Sequence, residues 1–115
     1  MERVIKFRVW DGNKFDFSPT IWDGRVWNDL EDREIKGVEL MQFTGLLDKN
    51  GVEIYEGDII KTGTDKTMVV CWSERHASFV IEREGWMFRH YFGEAFESNE
   101  CEVIGNIYEN PNLIK

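Results

Sequence analysis

Glycine and asparagine interrupt the second half of this chain so often that no long helix or strand fits there. Gly45, the Asn50-Gly51 pair and Gly57 follow one another at short intervals, and Asn-Gly readily accepts the positive φ of a tight turn. Apolar or alternating runs of strand length lie between these breaks. Regularly spaced short strands with tight turns predict a small β-barrel. The predicted strands cover residues 38–43, 52–54, 67–72, 78–83, 86–92 and 102–108, with another opening at Ile59.

The N-terminal segment has the pattern of a β-hairpin. Residues 4–10 alternate in polarity, which puts Lys6 and Arg8 on the polar face, and Asp11-Gly12-Asn13 supplies a turn before a second short strand. Residues 18–37 are polar and acidic, and we expect a long connection there with at most one helical turn. The predicted organisation is an arm over residues 1–37 and a barrel over residues 38–115, folding as one unit with little helix. The best helix candidate is residues 93–99.

Length, charge and composition narrow the class of protein further. The chain has 115 residues, 42% of them apolar and 31% charged, which suits one soluble domain. Its 14 basic and 22 acidic residues give a net charge of −8, and this balance disfavours a large phosphate-facing surface. Charged residues interrupt the N-terminus, and no apolar run approaches the length of a membrane span. We therefore expect a cytoplasmic protein with no membrane association.

The residues that could form a metal or catalytic site lack the spacing that such sites need. Cys71, His76, His90 and Cys101 are too widely spaced for a typical structural zinc site. We interpret both cysteines as packing residues and expect free, buried thiols. No phosphate-binding loop or dinucleotide fingerprint is present in the sequence. We predict no catalytic residues, no metal, no cofactor and no enzyme activity.

Three segments of the chain together resemble the YopX family. They are Met41-Gln42-Phe43-Thr44-Gly45-Leu46 with Asp48-Lys49-Asn50-Gly51 and Ile54-Tyr55-Glu56-Gly57-Asp58-Ile59 in the centre, Phe7-Arg8-Val9-Trp10-Asp11 near the start, and Val103-Ile104-Gly105-Asn106-Ile107-Tyr108-Glu109-Asn110-Pro111 near the end. The resemblance implies a small, largely β protein with an SH3-like barrel, carried by bacteriophages and prophages. It implies no established activity and no catalytic residues. Leu47 and Val52 depart from the family pattern, in which polar residues are expected.

The central segment can be explained by folding alone. Gly45 and Gly51 permit backbone conformations that other residues resist, Asp48 and Asn50 can bond the turn backbone, and Gly57-Asp58 redirects the chain. The ring of Tyr55 is expected at the barrel edge, and the same loop is also a candidate contact for a partner. The aliphatic positions predicted to be buried are Ile54, Ile59, Val69, Val103, Ile104 and Ile107.

Sixteen aromatic residues are more than a small barrel can enclose. The chain contains 5 Trp, 8 Phe and 3 Tyr, so some ring surface is expected to be buried against another chain. We therefore predict a protein-binding module or a homo-oligomer. The candidate interface residues are Trp10, Trp22, Trp27 and Tyr55.

Two alternative functions involve nucleic acid or its mimicry. The aromatic run of residues 86–92 is expected to turn one face to the core and the other to a subunit interface. Alternatively it could stack the bases of a single strand, with Trp86, Arg89 and Tyr91 as contacts. The net negative charge disfavours this hypothesis unless Arg75, Arg83 and Arg89 cluster. The acidic surface could instead occupy a host DNA-binding protein by imitating nucleic acid.

Overall fold

The computed structural model describes residues 4–62, 67–74, 78–82, 90–91 and 100–114, which are almost entirely strands and turns. No α-helix occurs in these ranges, and no helix there is long and apolar enough to span a membrane. The prediction of a mainly β protein is confirmed. A 3₁₀ helix covers Pro111–Ile114. The strands are β1 (Phe7–Trp10), β2 (Phe15–Asp16), β3 (Thr20–Trp22), β4 (Arg25–Asn28), β5 (Arg33–Glu34), β6 (Glu39–Leu47), β7 (Glu53–Tyr55), β8 (Asp58–Thr62), β9 (Thr67–Ser73), β10 (Ser78–Glu82), β11 (His90–Tyr91) and β12 (Cys101–Asn106).

The chain forms two compact units, Met1–Gln42 and Phe43–Lys115. In the first unit, β1 and β2 form the predicted N-terminal hairpin, with Trp10 opposite Phe15. The turn between them is held by the Asp11 carboxylate, which accepts hydrogen bonds from the backbone N–H groups of Asn13 and Lys14, each at 2.8 Å. The local turn chemistry of Asp and Asn therefore specifies this hairpin, as the sequence predicts.

Arg8 does not lie on an exposed polar face, contrary to the alternation in the sequence. The side chain is buried, and its guanidinium carbon lies 4.3 Å from the centroid of the Phe15 ring. Val9, the next residue, is buried as well. Both faces of β1 are thus covered, and guanidinium stacking on an aromatic ring makes a buried position favourable for arginine.

Residues 18–37 contain a three-stranded antiparallel sheet where we predicted a long connection. The order is β3-β4-β5, with Ile21 opposite Val26 and Trp27 opposite Glu34. The β3–β4 turn is Asp23-Gly24, with φ values of 53° and 71°. Two successive positive φ values are typical of the tight turn that matches the twist of a hairpin, so this dipeptide turns the chain back at once.

In the second unit, five strands form an antiparallel sheet in the order β11-β10-β9-β8-β12. Strand β7 pairs with the end of β6, where the register shifts between Phe43 and Leu47. Gly45 has a φ of 87° in this irregular stretch, and Thr44 Oγ1 donates a hydrogen bond to the Ile54 carbonyl at 2.7 Å. Glycine permits the bulge, and the threonine hydroxyl supplies a bond across it.

The hydrophobic core of the second unit lies on one side of the five-stranded sheet and reaches β7. It is built from Ile54, Ile60, Met68, Val70, Ile81 and Cys101. Of the six aliphatic positions predicted to be buried, Ile54 and Ile59 are fully buried, whereas Val69, Val103, Ile104 and Ile107 are half-buried. In β9, Met68 and Val70 face the core cluster, and Val69 takes the opposite face because side chains alternate along a strand. On that face Val69 pairs with the fully buried Ile59.

The Asp48 carboxylate joins the Asn50-Gly51 turn to a distant strand. Its Oδ1 accepts hydrogen bonds from the N–H groups of Asn50 at 2.8 Å and Val52 at 2.9 Å, and its Oδ2 accepts one from Val103 N–H at 2.9 Å. The predicted bonding of the turn by Asp48 is confirmed, and the link to β12 adds a contact that local sequence does not reveal. Leu47 and Val52, which depart from the family pattern, are both exposed.

A second turn is fixed by Asp58 and Gly57. The buried Asp58 carboxylate accepts a hydrogen bond from Tyr55 N–H at 2.7 Å, while Gly57 adopts a φ of 88°. Gly57 N–H also donates to the Val70 carbonyl at 2.7 Å, and its own carbonyl accepts from Ile107 N–H at 3.0 Å. The Tyr55–Asp58 turn is therefore tied to two other parts of the unit.

Replacing Gly105 by alanine should destabilise the second unit by about 2 kcal/mol, because overpacking a close contact costs that much. A Cβ at this position would lie 2.5 Å from Asn110 Oδ1 and 2.7 Å from its Cγ. Asn110 Oδ1 accepts a hydrogen bond from Asn106 N–H at 3.2 Å, and the clash would break it. Urea unfolding of Gly105→Ala measures the loss.

The matched control is the same substitution in an Asn110→Gly background, which removes the side chain that the new methyl group meets. The cost of Gly105→Ala should then fall to well under half. An equal cost in both backgrounds would show that Asn110 is not the cause.

Candidate protein-interaction site

The three-stranded sheet of the first unit presents one aromatic, solvent-facing side. Side chains alternate along a strand, so Trp22 of β3 and Trp27 of β4 share a face, and Ile21 and Val26 point to the other. Val26 is buried, whereas Trp22 is 67% exposed. The sheet therefore packs its aliphatic face inward and leaves its tryptophan face to solvent.

The two tryptophans form one surface held by a backbone contact. Their ring centroids are 5.6 Å apart with an interplanar angle of 69°, an edge-to-face arrangement. Trp27 Nε1 donates a hydrogen bond to the Trp22 carbonyl at 3.2 Å. Because that bond uses the backbone of residue 22, it fixes the Trp27 ring whichever side chain stands at position 22. Trp27 is half-buried with its ring oriented by this bond, whereas Trp22 is largely exposed.

An open pocket of about 300 Å³ lies against this tryptophan pair. That volume is at the small end of the range for ligand pockets and suits one side chain better than a cofactor. The residues that line it come from β3, β4 and the turn that follows. They are Thr20, Trp22, Trp27, Asn28, Asp29 and Asp32.

The rim of the pocket is acidic and is shaped by local hydrogen bonds. Thr20 Oγ1 donates to Asp29 Oδ2 at 2.8 Å, which orients that carboxylate. Asn28 Oδ1 accepts hydrogen bonds from Leu30 N–H at 3.0 Å and from Glu31 N–H at 3.2 Å. The Asn28 side chain therefore holds the backbone of the turn that follows β4. Asp32 ends the turn with a φ of 51°, a conformation that Asp and Asn tolerate better than most residues.

The two nearby arginines form ion pairs with glutamates. Arg25 Nε lies 3.4 Å from Glu34 Oε1, and Arg33 Nε bonds Glu31 Oε2. Among the described residues, the Asp32 carboxylate has no hydrogen-bond or ion-pair partner. The pocket therefore combines two indole rings with two carboxylates and no cation of its own along the wall.

The other predicted interface residues do not line this pocket. Trp10 is half-buried, and its ring centroid lies 4.8 Å from that of Phe15. Tyr55 is only 3% exposed, packs 5.5 Å from the Phe43 ring and bonds Glu53 through its hydroxyl at 3.4 Å. Tyr55 consequently offers little surface to a partner, and the candidate site is limited to Trp22 and Trp27.

The residues proposed for nucleic-acid contact fall largely on parts of the chain that the structure does not describe. Trp86 and Arg89 lie outside the described residues, as do Arg75, Arg83, His76 and the predicted helix of residues 93–99. Tyr91 belongs to the short strand β11.

Neither cysteine forms a disulfide, and they lie on different strands; the predicted burial is confirmed for Cys101 and wrong for Cys71. Cys101 is buried in the core, while Cys71 is half-buried and donates from Sγ to Glu82 Oε2 at 3.3 Å. Burial, with a smaller contribution from the Asp48 charge, raises the pKa of Cys101 to about 11. Cys101 is therefore a protonated packing residue near neutral pH. Within the described ranges, no three His, Cys, Asp or Glu side chains are grouped to hold a metal ion.

The sequence indicates the two tryptophans as interface candidates but not the polar rim of the pocket. The missed signal is Asp23-Gly24 between two alternating runs, which is one of the strongest short hairpin patterns. In a hairpin with this turn, alternation alone places Thr20, Trp22 and Trp27 on one face. Asp29 and Asp32 reach the pocket through the β4–β5 turn, whose path depends on the Asn28 bonds.

Comparisons with known proteins agree with the resemblance noted in the sequence. The family model described as YopX protein matches residues 6–115. Among solved structures, the crystal structure of protein EF1440 from Enterococcus faecalis is similar, with 25% identity and a TM-score of 0.64 over 99% of this chain and 100% of that chain. No curated protein matches. Because the family model covers nearly the whole sequence, the chain belongs to the YopX family.

Proposed function

We propose that this protein is a non-enzymatic protein-binding module whose binding surface is the Trp22–Trp27 pocket. The observation that carries the proposal is an indole that is 67% exposed beside a second, hydrogen-bonded indole at an open pocket. Exposed tryptophan surface is costly in water, and Trp is enriched among the residues that dominate binding energy. A phage or prophage origin and a cytoplasmic site of action, in a bacterial host, belong to the same proposal.

The pocket favours recognition of a protein segment over catalysis. Its polar groups are two carboxylates, an amide and a threonine hydroxyl that is already bonded to Asp29. Covalent catalysis needs a nucleophile activated by a base. In this lining the Thr20 hydroxyl and the Asp29 carboxylate are the single hydroxyl–carboxylate pair, and no cysteine, histidine or lysine accompanies them. Two aromatic rings beside hydrogen-bond acceptors are instead typical of an interface pocket that receives a side chain of the partner protein.

Selection from an unbiased random-peptide display library tests this function. Peptides enriched on the wild-type protein should bind at least about tenfold more weakly to Trp22→Ala, because truncating a central indole typically removes that much affinity. The variant should fold normally, since Trp22 is exposed and the Trp27 bond uses its backbone carbonyl. Isothermal titration calorimetry of synthetic peptides gives the affinities.

Trp72→Ala is the matched control, because Trp72 is also exposed but lies in the second unit, where it packs on Phe79 at 5.0 Å. It should leave peptide affinity unchanged. Sedimentation velocity at tens of micromolar adds a second readout: a dimer that Trp22→Ala dissociates would identify another copy of the chain as the partner. A monomer that enriches no peptide, or peptides that bind Trp22→Ala as well as wild type, would contradict the proposal.

A further inference from the structure

The charge around the Trp22–Trp27 pocket points to the chemistry of its occupant. Residues 20–34 contain five acidic and two basic side chains. Both arginines are ion-paired with glutamates, Arg25 with Glu34 and Arg33 with Glu31. The unmatched charge of this segment therefore resides on aspartates, and two of them, Asp29 and Asp32, line the pocket.

Aromatic rings and carboxylates together select for a cation. The face of an indole attracts a positive charge through its quadrupole, and Trp is the strongest of the aromatic residues in this role. A neutral apolar side chain would satisfy the rings but leave the carboxylates partly desolvated without a partner, which is unfavourable. An anionic side chain would be repelled by both.

Arginine fits this arrangement better than lysine. Its planar guanidinium can stack on one indole while its N–H groups donate in the ring plane, and it is more weakly hydrated than an ammonium group. Asp29 Oδ2 is held by Thr20, so this carboxylate is preoriented. The net charge of −8 also favours a basic partner at longer range.

We propose that the pocket binds an arginine side chain from a basic segment of a partner protein, with Trp22 and Trp27 contacting the guanidinium and Asp29 and Asp32 accepting its hydrogen bonds. This inference rests on the proposed protein-binding function and specifies its partner. It assigns separate roles to the rings, which supply stacking, and to the aspartates, which supply charge.

Three capped nonapeptides test the inference. Each contains three copies of one residue, separated by glycine and serine. That residue is arginine in the first peptide, lysine in the second, and citrulline, the neutral analogue of arginine, in the third. Calorimetry on the full chain should show the arginine peptide binding about tenfold more tightly than the citrulline peptide, the combined effect of a cation–π contact and an exposed ion pair. The lysine peptide should fall between them.

Asp32→Asn and Asp23→Asn form a matched pair of variants. Both remove one carboxylate at a position of positive φ, 51° and 53° respectively, where asparagine is tolerated. Only Asp32 lines the pocket. Asp32→Asn should lower the affinity for the arginine peptide about threefold and leave the affinity for the citrulline peptide unchanged. Asp23→Asn should leave the affinity for the arginine peptide unchanged within experimental error.

The outcomes separate this inference from the function on which it rests. If arginine and citrulline peptides bind equally, or if Asp23→Asn and Asp32→Asn have equal effects, the arginine pocket is wrong. The protein-binding function would still stand if peptides from the random library lose affinity for Trp22→Ala. If the arginine peptide binds Trp22→Ala as tightly as wild type, the arginine pocket is also wrong.

Discussion

Replacing Asp48 by alanine is expected to lower the free energy of unfolding by about 3 kcal/mol, because hydrogen bonds to a charged group are strong and their buried donors would be left without partners. Asp48 is 5% exposed and accepts hydrogen bonds from three backbone N–H groups, those of Asn50, Val52 and Val103. The first two hold the Asn50-Gly51 turn, and the third fastens that turn to β12. Urea unfolding, followed by circular dichroism, measures the loss.

Asp11→Ala is the matched control for Asp48→Ala. Asp11 accepts two backbone hydrogen bonds in the same kind of turn, but it is exposed, so water can replace it. Its removal should shift the unfolding midpoint much less. Equal shifts for the two variants would show that the link from Asp48 to β12 does not stabilise the protein.

The Asp48 contribution should also depend on pH. Burial alone would raise the pKa of this carboxyl, but the hydrogen bonds from Val103, Val52 and Asn50 outweigh burial and lower the pKa below its ordinary value of 3.8. When the pKa of a carboxyl is lower in the folded than in the unfolded protein, the ionised carboxylate stabilises the folded state. This contribution is fully present above the pKa of the carboxyl in the unfolded chain, near 4, and is lost as the pH falls through its pKa in the folded protein. The stability difference between wild type and Asp48→Ala should therefore be constant near neutrality and shrink below about pH 4.

Replacing Ile54 by alanine should cost about 3 kcal/mol, which is typical of deleting a large aliphatic side chain from a packed core. Ile54 is fully buried and belongs to the core of the second unit with Ile60, Val70 and Ile81. Its carbonyl also accepts the Thr44 hydroxyl bond, which the substitution leaves in place. Chemical denaturation again gives the free energy.

Val52→Ala is the comparison for Ile54→Ala, because Val52 is a β-branched residue in the same segment that is 47% exposed. Its truncation should cost less than about 1 kcal/mol. If Val52→Ala proved as harmful as Ile54→Ala, the assignment of the core to the five-stranded sheet and β7 would be wrong.

Turn chemistry is the part of this fold that the sequence determines most directly. Asp48 and Asn50-Gly51, Gly57-Asp58 and Asp11-Gly12-Asn13 act within a few residues, so their pattern predicts their structure. The bond from Asp48 to Val103 could not be predicted, because it joins residues that are distant in sequence. The Asp23-Gly24 turn carried an equally local signal, but the polar and acidic residues around it favoured a loop.

Burial was harder to predict than strand formation. Alternation in residues 4–10 separates two faces of β1, yet it does not reveal that the face of Arg8 is covered, since this depends on the Phe15 ring brought back by the hairpin. In the same way, the sequence marks Trp22 and Trp27 as candidates one by one. Their pairing follows from the register of β3 with β4, and the acidic rim follows from the turn after β4.

The most direct test of the Trp22–Trp27 pocket as the binding surface is chemical-shift mapping of the ¹⁵N-labelled protein titrated with a peptide selected from the random library. The Trp27 indole N–H, which bonds the Trp22 carbonyl, should report binding together with backbone amides of residues 20–34, while the Trp72 indole should not shift. Shifts centred on β8, β9 and β10, with residues 20–34 unchanged, would contradict the proposed function.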